Sequence, residues 1–249
     1  MNRNKMISVI IATYNCEDCL EETLKSLFLQ NCNNFEVIFV DGNSKDKTLE
    51  IIKKYKNLFN KKEIDVKVIS ENDNGIYDAM NKGIKISSGE YLYFLNAKDI
   101  IKNNDIFIKI INILKNYDVD ILYGNVETEI LIKQDKKLKN QIIFKGICHQ
   151  SAFIKKNLFD EIGIYNTKYK VSADYDFFTK AYFLKKNFKY INLTIIEYDM
   201  SGYSSQKNNI KVGIREYKKI IDSNLNGINK ILGNLRYLYL NLKFLLNKF

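Results

Sequence analysis

Short runs of bulky apolar residues, each closed by polar turn residues and followed by a helical repeat, dominate the first hundred positions. Met6–Ala12 (MISVIIA), Phe35–Val40 (FEVIFV), Asp65–Ser70 (DVKVIS) and Glu90–Leu95 (EYLYFL) predict strands. The first, second and fourth are apolar on both faces, as strands covered on both sides must be. Between them, Cys19–Leu29, Thr48–Asn57 and Ile76–Ile86 predict helices. In the third, Ile76, Ala79, Met80, Gly83 and Ile84 share an inner face, and Gly83 lets that helix approach the sheet closely. Such alternation implies a mostly parallel α/β sheet with right-handed crossovers and helices on both faces.

The pattern loosens after residue 100. Asn104–Tyr117 predicts a helix and Asp120–Asn125 a strand. Glu127–Ile143 reads as an antiparallel hairpin turning at Lys-Gln-Asp-Lys-Lys, and Cys148–Ile154 as another strand. Lys156–Ile162 reads as a short helix ended by Gly163. Asp174–Leu184 predicts a helix and Lys189–Tyr198 a last strand. We read residues 1–208 as one domain of two halves, 1–100 and 101–208. Residues 209–249 form a helical extension with Leu232, Leu235, Leu238, Leu242, Leu246 and Phe249 at 3 and 4 spacing, and Lys230, Arg236, Lys243 and Lys248 as its charges. A basic amphipathic helix over 228–249 suits an anionic membrane surface. Packing on its own domain, or a homodimer contact, would use the same face.

Composition narrows this little. The chain has 249 residues and a net charge of +10, with neither Pro nor Trp. About half of that charge reflects a Lys-, Asn- and Ile-rich bias rather than a partner. The basic residues are scattered and no nucleic-acid module is present, so no nucleic-acid partner is expected. Cys16 and Cys19 form a C-x-x-C without a second pair, so reduced thiols are expected rather than a metal or redox site. Met1–Lys5 is polar and Met6–Thr13 is too short for a signal core, so no secretory signal is expected. No run of ~18 apolar residues could span a bilayer.

Candidate chemistry gathers where the predicted strands end. Thr13-Tyr14-Asn15, Asp41, Asp73 and Asp99 all fall at or just beyond carboxyl ends, the ligand-binding edge of an open α/β sheet. Asp41 could accept from ribose hydroxyls or a base N–H, and Tyr14 could stack on a base. No P-loop, no G-x-G-x-x-G after the first strand and no G-x-S-x-G is present.

The fragments SVIIATYN, VIFVDGNSKDKTLEII, ENDNGIYDAMNKGIKISSGEYLYFLNAKD, HQSAFI and SADYDFF, in that order from about Ile7 to Ser204, resemble family 2 glycosyltransferases of the GT-A fold, of the bacterial surface-polysaccharide type. The resemblance implies a nucleotide-diphosphate sugar, UDP-linked, bound by Thr13, Tyr14, Asn15, Asp41, Asn43, Asp73, Lys82 and Asn96. It implies a divalent metal, Mg²⁺ or Mn²⁺, at Asp99, although Lys98 stands in the segment where the family carries further acids. It implies Asp174 as general base, with His149, Gln150 and Asp176 on the acceptor or diphosphate side. Ser201-Gly202-Tyr203-Ser204 would be a loop closing over the donor. The expected enzyme is a metal-assisted, inverting glycosyltransferase acting on a saccharide, lipid-linked, acceptor at the cytoplasmic face of the inner membrane. The rival readings are a non-catalytic nucleotide-sugar-binding subunit, suggested by Lys98, and a nucleotidyltransferase.

Overall fold

The structure is a computed structural model and describes residues 5–128, 131–134, 137–199, 202 and 206–246. Ser201, Tyr203 and Ser204 of the expected closing loop lie outside the described residues, as do Lys248 and Phe249.

The first half follows the expected alternation. β1 (Ile7–Thr13), β2 (Phe35–Asp41), β3 (Val66–Ser70) and β4 (Tyr91–Phe94) are linked through α1 (Leu20–Phe28), α2 (Thr48–Lys61) and α3 (Ile76–Ile86). The four strands pair in parallel in the order β3-β2-β1-β4. Alternate residues of β1 feed two cores. Ile7, Val9 and Ile11 pack with α1, α2 and α4 (Ile106–Asn116), while Ile10 packs with α3. A Cβ at Gly83 would come within 2.5 Å of Ile10 Cγ2, so α3 does lie too close to the sheet for any side chain there.

The second half extends the sheet on the β4 side. β5 (Ile100–Ile101), β6 (Ile121–Glu127), β7 (Leu131–Ile132), β8 (Ala152–Lys155) and β9 (Phe188–Glu197) complete it. β8 runs antiparallel between β4 and β6, β9 parallel to β6, and β5 antiparallel to β9. The hairpin expected over Glu127–Ile143 is confined to two residue pairs, Val126 with Ile132 and Glu127 with Leu131. Beyond it the chain turns helical as α5 (Leu138–Asn140) and a π-helical turn, Gln141–Lys145. Leu138, Ile142 and Ile143 repeat at helical spacing, and burial of Ile142 and Ile143 favours that period over a strand. Likewise His149–Ser151 is a 3₁₀ turn, so only the end of the strand expected at Cys148–Ile154 is extended. α6 (Asn157–Ile162) stops at Gly163, whose φ of 95° few other residues adopt. α7 (Ala173–Phe183) then precedes β9.

The C-terminal extension is a pair of helices, α8 (Lys207–Asn224) and α9 (Gly227–Leu245). Tyr217 and Ile221 of α8, with Leu225 just beyond its end, pack with Tyr175 and Phe183 of α7 and with Tyr237 and Leu240 of α9. α9 leaves Ile231, Leu235, Leu238, Leu242 and Leu245 more than half exposed. Among the described residues, no helix is long and apolar enough to cross a membrane.

Candidate active site

Parallel strands share one rim, and it carries the first half of the site. Thr13 and Asp41 are register partners at the ends of β1 and β2, with Ser70 opposite Asp41 on β3. Asp41 is fully buried. Its Oδ1 accepts from Thr13 Oγ1 at 3.2 Å and Ser44 Oγ at 2.5 Å, and its Oδ2 from the Ser44 amide at 3.0 Å and Ser70 Oγ at 2.8 Å. Four donors leave it little capacity for a ribose. Asp41 therefore ties three loops together below the cleft, in place of the ligand contact expected of it. Through those loops it sets Tyr14 and Asn15: the Asn15 amide donates to Ser44 Oγ, and Asn15 Oδ1 accepts from the Lys45 amide.

A cleft of about 1410 Å³ opens above this rim. Thr13, Tyr14, Asn15, Asp73, Asn96, Asp99, His149, Gln150 and Asp174 all line it, so segments far apart in sequence do converge. Tyr14 is two-thirds exposed at its edge, free to meet a planar ligand. Asp73 overhangs Gly42, where a Cβ would approach Asp73 Oδ2 to 2.6 Å.

Besides Asp41, three expected residues are not among those lining the cleft. Asn43 bonds Asn72 and Lys45 on the surface. Lys82 donates to the Asn72 carbonyl and pairs with Glu71 at 2.9 Å. Asp176 is buried, pairs with Lys180 at 2.6 Å and accepts from Asn224 Nδ2 of α8 at 3.0 Å. Lying two residues from Asp174 on a helix, it points to another face. It anchors α8 rather than serving the acceptor or diphosphate side.

Asp174 stands in the first turn of α7, with its side chain 17% exposed to the cleft. Its Oδ2 accepts from His149 Nδ1 at 2.9 Å and its Oδ1 from the Tyr77 hydroxyl at 2.8 Å. Burial alone would raise this carboxyl, but the bond and charge of His149, with the Tyr77 hydroxyl, outweigh it and hold it below the ordinary carboxylate range. Tyr77, wholly buried and beside a carboxylate, is pushed far upward and so stays a donor. The other nitrogen of His149 lies 3.4 Å from Asn96 Nδ2. Asn96, His149 and Asp174 thus form one chain of polar contacts across the cleft.

Two features have no counterpart in the expected set. Tyr77 lies within the quoted YDAMNKG stretch, where its spacing to Met80 and Ile84 signals an inward side chain. Glu216 of α8 is the other. Its carboxylate accepts from the Lys170, Val171 and Ser172 amides at 2.6, 3.0 and 3.0 Å. The start of α7 has no side-chain cap of its own. Glu216 therefore satisfies amides that would otherwise be orphaned just before Asp174. An acid four residues before Ile220, on the apolar stripe of α8, was its signal. Glu216→Ala should lower stability by about 2–3 kcal/mol, since a charged acceptor is removed from three amides. Thermal melting checks this, and a shift under about 2 °C would contradict it.

The expected metal does not fit the residues present. Asp99 is 2% exposed. It accepts from the Asp199 amide at 3.1 Å and from the Gln150 side chain. Burial pushes it up to about 6. At the neighbouring position the Lys98 ammonium lies 3.6 Å from Asp199 Oδ2. A dication at Asp99 would face that ammonium and would have to displace the Asp199 amide and the Gln150 side chain. The C-x-x-C is no alternative, because burial pushes the Cys16 thiol up to about 11 and raises that of Cys19.

Residues 8–208 match glycosyl transferase family 2. A PGL/p-HBAD biosynthesis glycosyltransferase of Mycobacterium bovis is 34% identical over 176 residues, 69% of this chain and 68% of that protein. Staphylococcus aureus TarS 1–349 in complex with UDP-GlcNAc superposes with a TM-score of 0.72 at 24% identity, covering 96% of this chain and 73% of that one. This chain spans 43% of a longer TarS chain. The mannosyltransferase PcManGT of Pyrobaculum calidifontis, in complex with GDP-Man and Mn²⁺, gives 0.75 at 17% identity, covering 98% and 72%. With the order of its motifs, the rim they build and a family match over most of its length, the chain belongs to glycosyl transferase family 2 and is a glycosyltransferase of the GT-A fold.

Proposed function

We propose an inverting transfer of one sugar from a nucleotide-diphosphate sugar, UDP-linked, to a hydroxyl of a saccharide acceptor carried on a lipid, in surface glycan or glycolipid assembly. The nucleotide lies against Thr13, Tyr14, Asn15 and Asp73, and the diphosphate points to the Asn96–Asp99 turn. The acceptor hydroxyl enters beside Asp174 and gives it a proton as its oxygen bonds to the anomeric carbon. The bond from that carbon to the diphosphate breaks on the opposite face, and its electron pair leaves with the nucleoside diphosphate. Inversion follows from a single displacement. His149 and Tyr77 keep the carboxylate ionised and aimed.

One observation carries this reading: Asp174 is held from two sides in the same cleft as the Thr13–Asn15 rim. TarS with UDP-GlcNAc supports a UDP sugar as donor, and the mycobacterial relative's name supports a glycolipid acceptor. The exposed apolar face of α9, on a helix with no acidic residue, supports contact with an anionic membrane, placed at the cytoplasmic leaflet.

The test is a panel of nucleotide sugars in thermal melting. One donor should raise the melting temperature by mass action, and a panel without effect sinks the reading. A second test uses pH. A carboxyl held low is already ionised at neutral pH, so kcat should stay flat through mildly acidic pH and its acid limb should lie below the ordinary carboxylate range. His149→Ala removes the largest opposition to burial, leaving the Tyr77 hydroxyl, and should move that acid limb upward. An unmoved limb would show that His149 does not hold Asp174.

A further inference from the structure

We infer that Lys98 itself supplies the positive charge at the leaving diphosphate, exchanging Asp199 for a phosphate oxygen when the donor enters, so that donor binding needs no divalent cation. The inference rests on the proposed donor, a nucleoside-diphosphate sugar. It begins from the misfit at Asp99. Diphosphate leaving from carbon carries developing charge that something cationic must meet. The one acid at the end of β4 is enclosed by protein donors, while the residue beside it brings an ammonium into the same cleft.

The position of Lys98 argues for use rather than accident. Its φ is 80°, a left-handed conformation that a long side chain adopts at a cost of about 1–3 kcal/mol. Its side chain is nearly half exposed, and its charge lowers the Cys19 thiol against the effect of burial there. The ammonium therefore lies between the start of α1, next to the Tyr14–Cys16 wall, and Asp199. Its pairing with Asp199, at 3.6 Å and partly exposed, is long for a charged hydrogen bond and is readily exchanged. An ammonium on a flexible stem is a good point donor to phosphate. Lys133, Lys145, Lys170 and Arg236 also line the cleft, but they come from the second half and α9, and Lys170 donates to the Asn74 carbonyl. Lys98 alone stands on the turn after β4, at the rim where the first four strands end.

Titration calorimetry with UDP, GDP, dTDP, CDP and ADP, in EDTA and again in excess Mn²⁺, tests this. In EDTA one diphosphate should bind the wild-type protein, with a Kd that Mn²⁺ changes less than about threefold. Lys98→Gln, which keeps length and loses charge, should bind it at least about tenfold more weakly in EDTA. Lys98→Gly should weaken binding equally while melting no lower than wild type, because glycine relieves the left-handed strain. Binding that appears only with Mn²⁺ overturns the role of Lys98 and leaves the donor assignment standing. Unchanged affinity in Lys98→Gln overturns it as well. No binding of any diphosphate under either condition overturns both.

Discussion

Asp174→Asn should lower kcat by about 10²–10⁴-fold, the range typical of a lost general base, while leaving donor affinity within about threefold of wild type. The amide keeps the size of the carboxylate and can still accept from one neighbour. It cannot accept the proton of the acceptor hydroxyl. It also places an NH₂ against either the Tyr77 hydroxyl or His149 Nδ1, both of which donate in the native arrangement. The new amide can present its oxygen to His149 while the Tyr77 hydroxyl rotates to the Val171 carbonyl, so the fold should survive, with a melting temperature within a few degrees. The split between lost kcat and retained donor binding is diagnostic. A merely structural acid would lower melting temperature and affinity together, and an unchanged kcat would remove Asp174 from the chemistry. Steady-state kinetics with calorimetry on the same preparation reads both.

Asp41→Asn should be the most damaging conservative change to stability, at about 2–4 kcal/mol. The Thr13, Ser44 and Ser70 hydroxyls could rotate to meet an amide NH₂, but the Ser44 backbone N–H cannot. One orientation of the asparagine leaves that amide facing a donor, and the other spends its only acceptor there and leaves the rest to rearrange in a fully buried site. An unsatisfied buried group costs about 1–3 kcal/mol, and charged acceptors lose more. Melting should fall by about 5–12 °C for a chain of this size. Were Asp41 instead a ribose contact, as the sequence suggests, KM for the donor would rise with little change in melting. The two accounts therefore predict opposite pairs of results.

The contrast at Asp41 shows why the first half was legible as a fold and only partly as a site. Four strand runs alternating with helices, three of them apolar on both faces, announced the parallel sheet, and Gly83 even reported how closely α3 packs. Strand ends say which rim a residue occupies. They do not say whether its side chain points up into a cleft or down into the turn below. Thr13, Tyr14, Asn15 and Asp73 line the cleft, Asp41 is buried beneath it, and Asn43 and Lys82 serve neighbouring loops. Asp176 shows the same limit on a helix, where two residues of separation moved it from the cleft to the α8 contact. The second half was less legible because its strands are short and its polar residues are buried. Gln134 and Gln141 bond each other and nearby carbonyls inside the region read as a hairpin. Their amides look like surface residues in sequence. Glu216 and Tyr77 act across more than forty and more than ninety positions, beyond any local pattern.

The extension beyond residue 206 illustrates a third limit. A leucine repeat at helical spacing could not reveal the break at Leu225-Asn226-Gly227, where Gly227 has a φ of 53°. That break folds α9 back on α8, and so brings Arg236 and Leu240 to the far side of the cleft. Through Glu216 and Asn224, α8 in turn holds both ends of the Asp174 segment. The extension thus shapes the acceptor side as well as offering an apolar face.

The reaction can be read without knowing the acceptor, because water can stand in for it. Proton NMR of the sugar first released from the stabilising donor, taken before mutarotation, reports which face of the anomeric carbon was attacked. An anomer opposite to that of the donor, formed by wild type and lost in Asp174→Asn, is the predicted result. Release of the donor's own anomer, or undiminished release by Asp174→Asn, would contradict a displacement served from the far side by that carboxylate.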